Sequence, residues 1–211
     1  MPRPARLNAI LDDDAVTRAG RDLIEVGRAF LDGGATFIQL RAKTRPGRWL
    51  LDTAERLVSM AEPFHAEIIV NDRADVARLA GAAGVHVGQD DLAPEHVRAL
   101  IGDGRIIGFS THAIAQIDDA VRRPIDYVAV GPIFGTGSKD TGYDAVGLTL
   151  VQEAARRAAP RGLGVVAIGG ITIERAADVI AAGATSVAII SDLLSTGDPR
   201  ARVAQYLDRL A

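Results

Sequence analysis

A chain of 211 residues with 48% hydrophobic and 24% charged side chains can bury a core of its own, which excludes the disordered and fibrous classes. Its formal charge of −3 excludes a global basic field for nucleic acid or an acidic membrane, so cations for an anionic ligand must be placed locally. With no cysteine, disulfides and thiolate catalysis are excluded as well. The start MPRPARLNAI lacks the apolar region of a signal peptide, and no apolar run approaches the ~20 residues of a membrane span. The expectation is a cytoplasmic protein.

Short β-branched runs alternate with longer Ala-, Leu- and Arg-rich stretches of helical period. In chain order the predicted strands are Arg6–Leu11, Thr36–Arg41, Glu67–Asp72, Gly84–Gly88, Arg105–Ser110, Tyr127–Phe134, Gly164–Gly170 and Ser186–Ser191. The predicted helices are Val16–Leu31, Arg48–Pro63, Ala74–Ala80, Ala93–Ile101, Ala115–Val121, Leu148–Ala159, Ile173–Ala182 and Asp192–Leu210. Strict alternation implies parallel strands, because each return crossover needs a helix. Eight units predict an α/β protein, a single-domain (β/α)8 TIM barrel over residues 1–211. The competing architecture is an open doubly wound sheet, but no G-x-G-x-x-G turn follows the first strand. Gly33-Gly34, Gly81 and Gly183 end helices before strands and are read as structural caps at the bottom of the barrel.

Chemistry in such a barrel sits at the C-terminal ends of the strands. Along the second strand, Phe37, Gln39 and Arg41 share one face and Ile38 and Leu40 the other. If the aliphatic pair faces the helices, Gln39 and Arg41 point to the barrel mouth, where Arg41 needs an anion or a carboxylate partner. Lys43 adds a second cation. The third strand ends in Asn71-Asp72, and the fourth runs into Gln89-Asp90-Asp91. Acids beyond two neighbouring strands can converge on one point, and Mg²⁺ takes one or two carboxylates plus water and phosphate oxygens. Asp72 with Asp91 fits that pattern; the plainer alternative for Asp91 is a cap on the helix beginning near Leu92.

Ser110, Thr111 and His112 end the fifth strand. His86 is read as structural, and neither His86 nor His112 has a visible nucleophile partner. Beyond the sixth strand, Gly135-Thr136-Gly137-Ser138-Lys139 supplies hydroxyls and a point charge, the makings of a diphosphate clamp. Gly169-Gly170 after the seventh strand and Ile190-Ser191 after the eighth lie where barrels commonly bind phosphate with backbone N–H groups.

In order and nearly in spacing, these stretches resemble the thiamine phosphate synthase family. They are Gln39-Leu40-Arg41-Ala42-Lys43, Ile69-Val70-Asn71-Asp72, Val85-His86-Val87-Gly88-Gln89-Asp90-Asp91-Leu92, Gly108-Phe109-Ser110-Thr111-His112, Gly131-Pro132-Ile133-Phe134 through Lys139-Asp140, and Ile168-Gly169-Gly170-Ile171. The resemblance implies a Mg²⁺-assisted transferase that joins a pyrimidine diphosphate to a thiazole phosphate with loss of diphosphate. It implies Asp72 and Asp91 as metal ligands, with Arg41, Lys43, Asn71 and Lys139 on the diphosphate. Gln39 and Ser110 would meet the pyrimidine, while Thr136, Ser138, Gly170, Ile190 and Ser191 take the thiazole phosphate. Arg41, Lys43, Ser110 and Lys139 carry the catalytic roles. The family pattern departs at Ala42, where an acid is usual, at Gly135, where Pro is common, at Ser138, where Thr is typical, and by an extra Gly-Tyr between Thr141 and Asp144.

A thiazole tautomerase-like relative, or a non-catalytic thiazole phosphate binder, is the alternative within the same superfamily. Such a protein has little use for paired metal carboxylates or diphosphate cations. Small-molecule substrates are expected, with no nucleic acid or membrane partner; a homo-oligomer is compatible with the sequence.

Overall fold

A computed structural model of the chain describes residues 4–135 and 144–211. Eight parallel strands close in sequence order into a barrel, with β8 paired to β1. They are β1 (Leu7–Asp12), β2 (Phe37–Arg41), β3 (Glu67–Asn71), β4 (Gly84–Val87), β5 (Ile106–Thr111), β6 (Tyr127–Val130), β7 (Gly164–Ile168) and β8 (Ser186–Ile189). Each strand hydrogen-bonds to the next, from Ile10 opposite Gln39 round to Asn8 opposite Ala188. The open-sheet alternative is thereby excluded. No helix among the described residues is long and apolar enough to cross a membrane.

The period-two alternation divides the core in two. Leu11, Ile38, Leu40, Val70, Val85 and Val128 face outward and pack under the helices. Ile10, Phe37, Ile69, Tyr127, Val166 and Ala188 face inward and fill the barrel. Gln39 therefore points inward between Phe37 and Arg41, as the alternation requires. The inner lining is partly polar: Asn8, Gln39, His86 and Ser186 are buried there.

The helices are α1 (Asp13–Arg18), α2 (Leu23–Asp32), α3 (Gly47–Ala61), α4 (Ala74–Leu79), α5 (Pro94–Ile101), α6 (Ile114–Ala120), α7 (Gly147–Ala158), α8 (Ile173–Ala181) and α9 (Pro199–Leu210). The predicted helix Val16–Leu31 is two helices. Gly20 takes φ +66°, a left-handed break that glycine adopts freely. Asp22 then starts α2 afresh by accepting from the Glu25 amide at 2.9 Å, a side-chain N-cap. Leu23, Val26, Phe30 and Leu31 form its buried stripe.

The predicted last helix is likewise divided. Ser191–Leu194 is a 3₁₀ turn, and α9 restarts behind the Asp198 cap and Pro199. A proline is at ease at the first helical position because its missing N–H would have no partner there. The sixth strand stops at Val130 rather than Phe134, since Gly131-Pro132 leaves the ladder and Ile133 instead donates to Ile168 O at 2.8 Å. Gly34, Gly81 and Gly183 all take positive φ just past helices, in keeping with their reading as caps.

Candidate active site at the barrel mouth

Inside the C-terminal mouth lies a cavity of about 420 Å³. Its floor includes Asn8, Ile10 and Tyr127; its wall includes Gln39, His86 and Ser110. The far rim is made by Gly169-Gly170 and by Ile190 to Asp192. The sequence-predicted residues thus fall into a cavity-lining group and a charged group beside it.

Beyond β2 to β4 the charged group assembles. Lys43 Nζ is 3.0 Å from Asp72 Oδ2. Asp72 follows β3 directly and holds φ +64°, with its amide donating to His86 O at 2.7 Å. A left-handed aspartate is uncommon away from turns and functional sites. Burial pushes its carboxyl above the usual range, the ammonium of Lys43 pulls it back, and the neighbouring Asp91 raises it again. Two carboxylates from consecutive strand ends do converge. Asp91 Oδ2 accepts from the Gly88 amide at 2.7 Å. It therefore ties down the turn after β4 and does not cap α5, whose N-cap is Ala93.

Arg41 is inside the mouth with its guanidinium on Asp12, whose other oxygen accepts from the Ala15 amide at 2.8 Å. Its partner in this structure is thus a carboxylate of β1. Arg45, not singled out from the sequence, repeats the arrangement one step outward: it grips Asp13 at 2.7 and 3.1 Å and lies over the Trp49 ring. Asn71 is buried at the end of β3. Of the 24 basic residues only two are lysines, Lys43 and Lys139. A chain that otherwise uses arginine keeps a compact ammonium at two of the predicted site positions.

Across the mouth, Gly169 and Gly170 have φ +103° and +60°. A Cβ on Gly170 would lie 2.5 Å from Gly135 O, and one on Gly169 2.6 Å from Pro132. Both positions therefore require glycine, and the turn they form lies close beneath the chain leaving β6. Ile190 and Ser191 open the 3₁₀ turn after β8, in the same wall. Asp192 is held by Arg202 at 2.8 Å and the Tyr206 hydroxyl at 2.5 Å, which anchors that turn to α9.

Arg175, at the start of α8, also lines the cavity. Its guanidinium stacks 4.7 Å above the Phe134 ring and donates to Gly170 O at 3.3 Å. It brings a cation to the Gly170 side that the strand-end reading missed, because it belongs to a helix. Thr136, Ser138 and Lys139 lie outside the described residues.

The largest correction concerns His86. Its Nε2 is 2.8 Å from Ser110 Oγ and its Nδ1 is 3.0 Å from Tyr127 Oη. His86 does have a hydroxyl partner, one strand away. Strand register carries the signal: His86 lies opposite Gly108, and Gly108 opposite Tyr127. His112, by contrast, has Nδ1 at 2.5 Å from Gly131 O. Among the described residues no group of three or more His, Cys, Asp or Glu side chains is arranged for a metal, so a cation here would rely on the Asp72–Asp91 pair.

Asn8 was also missed. It is 1% exposed in the cavity floor, and its Oδ1 has no hydrogen-bond partner among the described residues. An unsatisfied buried carbonyl costs roughly 1–3 kcal/mol. Asn8→Leu should therefore raise Tm by about 3–6 °C in a thermal melt. An unchanged or lowered Tm would show that ordered water satisfies the amide.

The model of a family described as thiamine monophosphate synthase matches residues 7–193. A protein of Roseiflexus castenholzii named thiamine-phosphate synthase is 43% identical over 188 residues, 89% of this chain and 81% of that one. One of the same name from Methanoculleus marisnigri is 43% identical over 202 residues, 96% of this chain and 94% of that one. Among solved structures, a thiamine phosphate pyrophosphorylase from Pyrococcus furiosus superposes with a TM-score of 0.86 at 28% identity, covering 97% of this chain and 95% of that one.

Proposed function

The chain belongs to the thiamine monophosphate synthase family, and on that premise we propose how its barrel mouth serves the reaction. It is a transferase of thiamine biosynthesis, a thiamine-phosphate synthase. The substrates proposed are 4-amino-5-hydroxymethyl-2-methylpyrimidine diphosphate and 4-methyl-5-(2-phosphoethyl)thiazole or its carboxylated form. The C–O bond to diphosphate breaks first, and the thiazole nitrogen then supplies the electron pair for the new C–N bond.

One observation carries this assignment: Asp72, Asp91 and Lys43 are gathered beyond the ends of β2 to β4, beside a cavity whose far rim is the Gly169-Gly170 turn. A chemistry that expels a diphosphate builds negative charge on the leaving group, so preorganised positive charge beside it stabilises the transition state more than the ground state. Lys43 supplies such charge from the protein. Arg41, with Lys139 and Asn71, is assigned to the same diphosphate, and its bond to Asp12 holds the guanidinium in place at the mouth.

The donor set fits a hard divalent cation. Two carboxylate side chains from adjacent strand ends are what Mg²⁺ needs when phosphate and water complete its shell. The Asp72 carboxyl is raised chiefly by burial and further by Asp91, and a cation between the two acids would relieve both effects. Asp72 and Asp91 would hold Mg²⁺, which when bound supplies charge neutralisation at the diphosphate. On the opposite side, Gly170 with Ile190-Ser191 offers backbone to the thiazole phosphate, joined by Thr136 and Ser138. Gln39 and Ser110, both facing the cavity, are assigned to the pyrimidine ring.

The test is thiamine phosphate formation from the two heterocyclic phosphates, run with Mg²⁺ and again with EDTA. Product that disappears with EDTA is expected. Thiazole phosphate binding without product would overturn the reading.

A further inference from the structure

The buried contact between Tyr127, His86 and Ser110 has a direction. Tyr127 is fully buried, stacked on the His86 ring with centroids 5.6 Å apart and met edge-on by Phe37 at 6.1 Å. Among the described residues its hydroxyl meets a single hydrogen-bonding atom, His86 Nδ1 at 3.0 Å. Burial pushes the phenol's pKa far up, so it keeps its proton. A buried O–H without an acceptor is costly, so this proton goes to Nδ1. An imidazole accepting at Nδ1 carries its hydrogen on Nε2. Nε2–H then donates to Ser110 Oγ across 2.8 Å. Ser110 is left with its own proton to give, and it lines the cavity.

The space for this contact is built in. A Cβ on Gly108, two residues before Ser110, would lie 2.0 Å from Tyr127 Cζ and 2.5 Å from His86 Nδ1. Gly108 is not left-handed, so the glycine there serves the ring pair and not a turn.

We infer that Tyr127 and His86 are positioning residues that fix the Ser110 hydroxyl as a hydrogen-bond donor to an acceptor atom of the bound ligand, a ring nitrogen of the pyrimidine. The inference rests on the proposed assignment of Ser110 to that substrate. It adds a rule of selectivity: a ring presenting N–H at the same place would set donor against donor and be refused.

The first test needs no variant and no turnover. In ¹⁵N-labelled full-length protein, His86 should show a protonated Nε2 and an acceptor Nδ1, assigned by loss of its signals in His86→Gln. A protonated Nδ1 would overturn the inference. Tyr127→Phe keeps the ring stack and removes the donor. It should raise KM for the pyrimidine diphosphate about tenfold, leave KM for thiazole phosphate within about twofold, and perturb the Nε2–H tautomer.

Two pyrimidine analogues, each with one ring nitrogen replaced by C–H, complete the test. One should lose about tenfold in kcat/KM with the wild type and nothing further with Ser110→Ala. Equal rises in both KM values with Tyr127→Phe, no analogue loss with the wild type, or an analogue loss that persists undiminished with Ser110→Ala would overturn the role. If the wild type forms no thiamine phosphate, the proposed function fails, and the tautomer measurement still decides whether the relay exists.

Discussion

Asp91→Asn is expected to lower Mg²⁺-dependent turnover by about 10³-fold or more, equivalent to ~4 kcal/mol of barrier. Asparagine keeps an oxygen that accepts from the Gly88 amide, a bond of 2.7 Å in the native turn, so the loop after β4 survives and the melt stays near that of the wild type. What is lost is one of two charges on the cation. Burial still raises the Asp72 carboxyl, but the substitution removes the further rise due to Asp91, which strengthens the Lys43 ion pair that must be broken before a metal can enter. Thiazole phosphate binding, which we assign to the Gly170 and Ile190-Ser191 side of the mouth, should be unchanged. Wild-type turnover at saturating Mg²⁺ would sink the two-carboxylate assignment.

Gly169→Ala should destabilise the protein by about 2–4 kcal/mol and lower Tm by about 5–15 °C. Two costs combine. The backbone is at φ +103°, outside the range an alanine accepts easily. The new methyl would lie 2.6 Å from Pro132 Cα and Cβ, so the strand-end turns of β6 and β7 must separate. That separation breaks the bonds from Ile133 to Ile168 O and from Phe134 to Gly169 O, at 2.8 and 3.0 Å. Because the same turn faces the cavity, KM for thiazole phosphate should rise about tenfold or more at a temperature where the variant remains folded. A variant with native Tm and native KM would show that the turn relaxes without consequence.

The barrel was legible because its signal is periodic. Eight β-branched runs and eight helical stretches fix a parallel closed sheet, and the inward face of β2 follows from counting by two. The failures fall where a local feature overrides the period: Gly20 and Asp22 divide one helix, Ser195 to Asp198 divides another, and Gly131-Pro132 ends a strand early. For the site, Asp72, Asp91, Lys43 and Gly170 were readable as polar or glycine residues at strand ends. Tyr127, His86 and Asn8 were not, since their meaning depends on which strands are neighbours and at what register. In the sequence His86 sits among valines and looks like a packing residue. Only the pairing of β4 through β6 puts a serine and a tyrosine on either side of it. Arg175 was missed for another reason, as it reaches the mouth from a helix.

The left-handed backbone of Asp72 has a bearing on how this barrel can drift. Such a conformation costs roughly 1 kcal/mol or more in a residue with a Cβ, and the carboxylate it carries is half desolvated and set beside another acid. Position 72 is therefore retained against the stability of the empty protein. Glycine would ease both penalties at once, so under the proposed metal role the side chain persists only while selection for the reaction holds it there. In a duplicated copy released from that demand, this is where relaxation should appear first, and an Asp-to-Gly replacement at this position would mark a descendant that keeps the barrel and has left the chemistry behind.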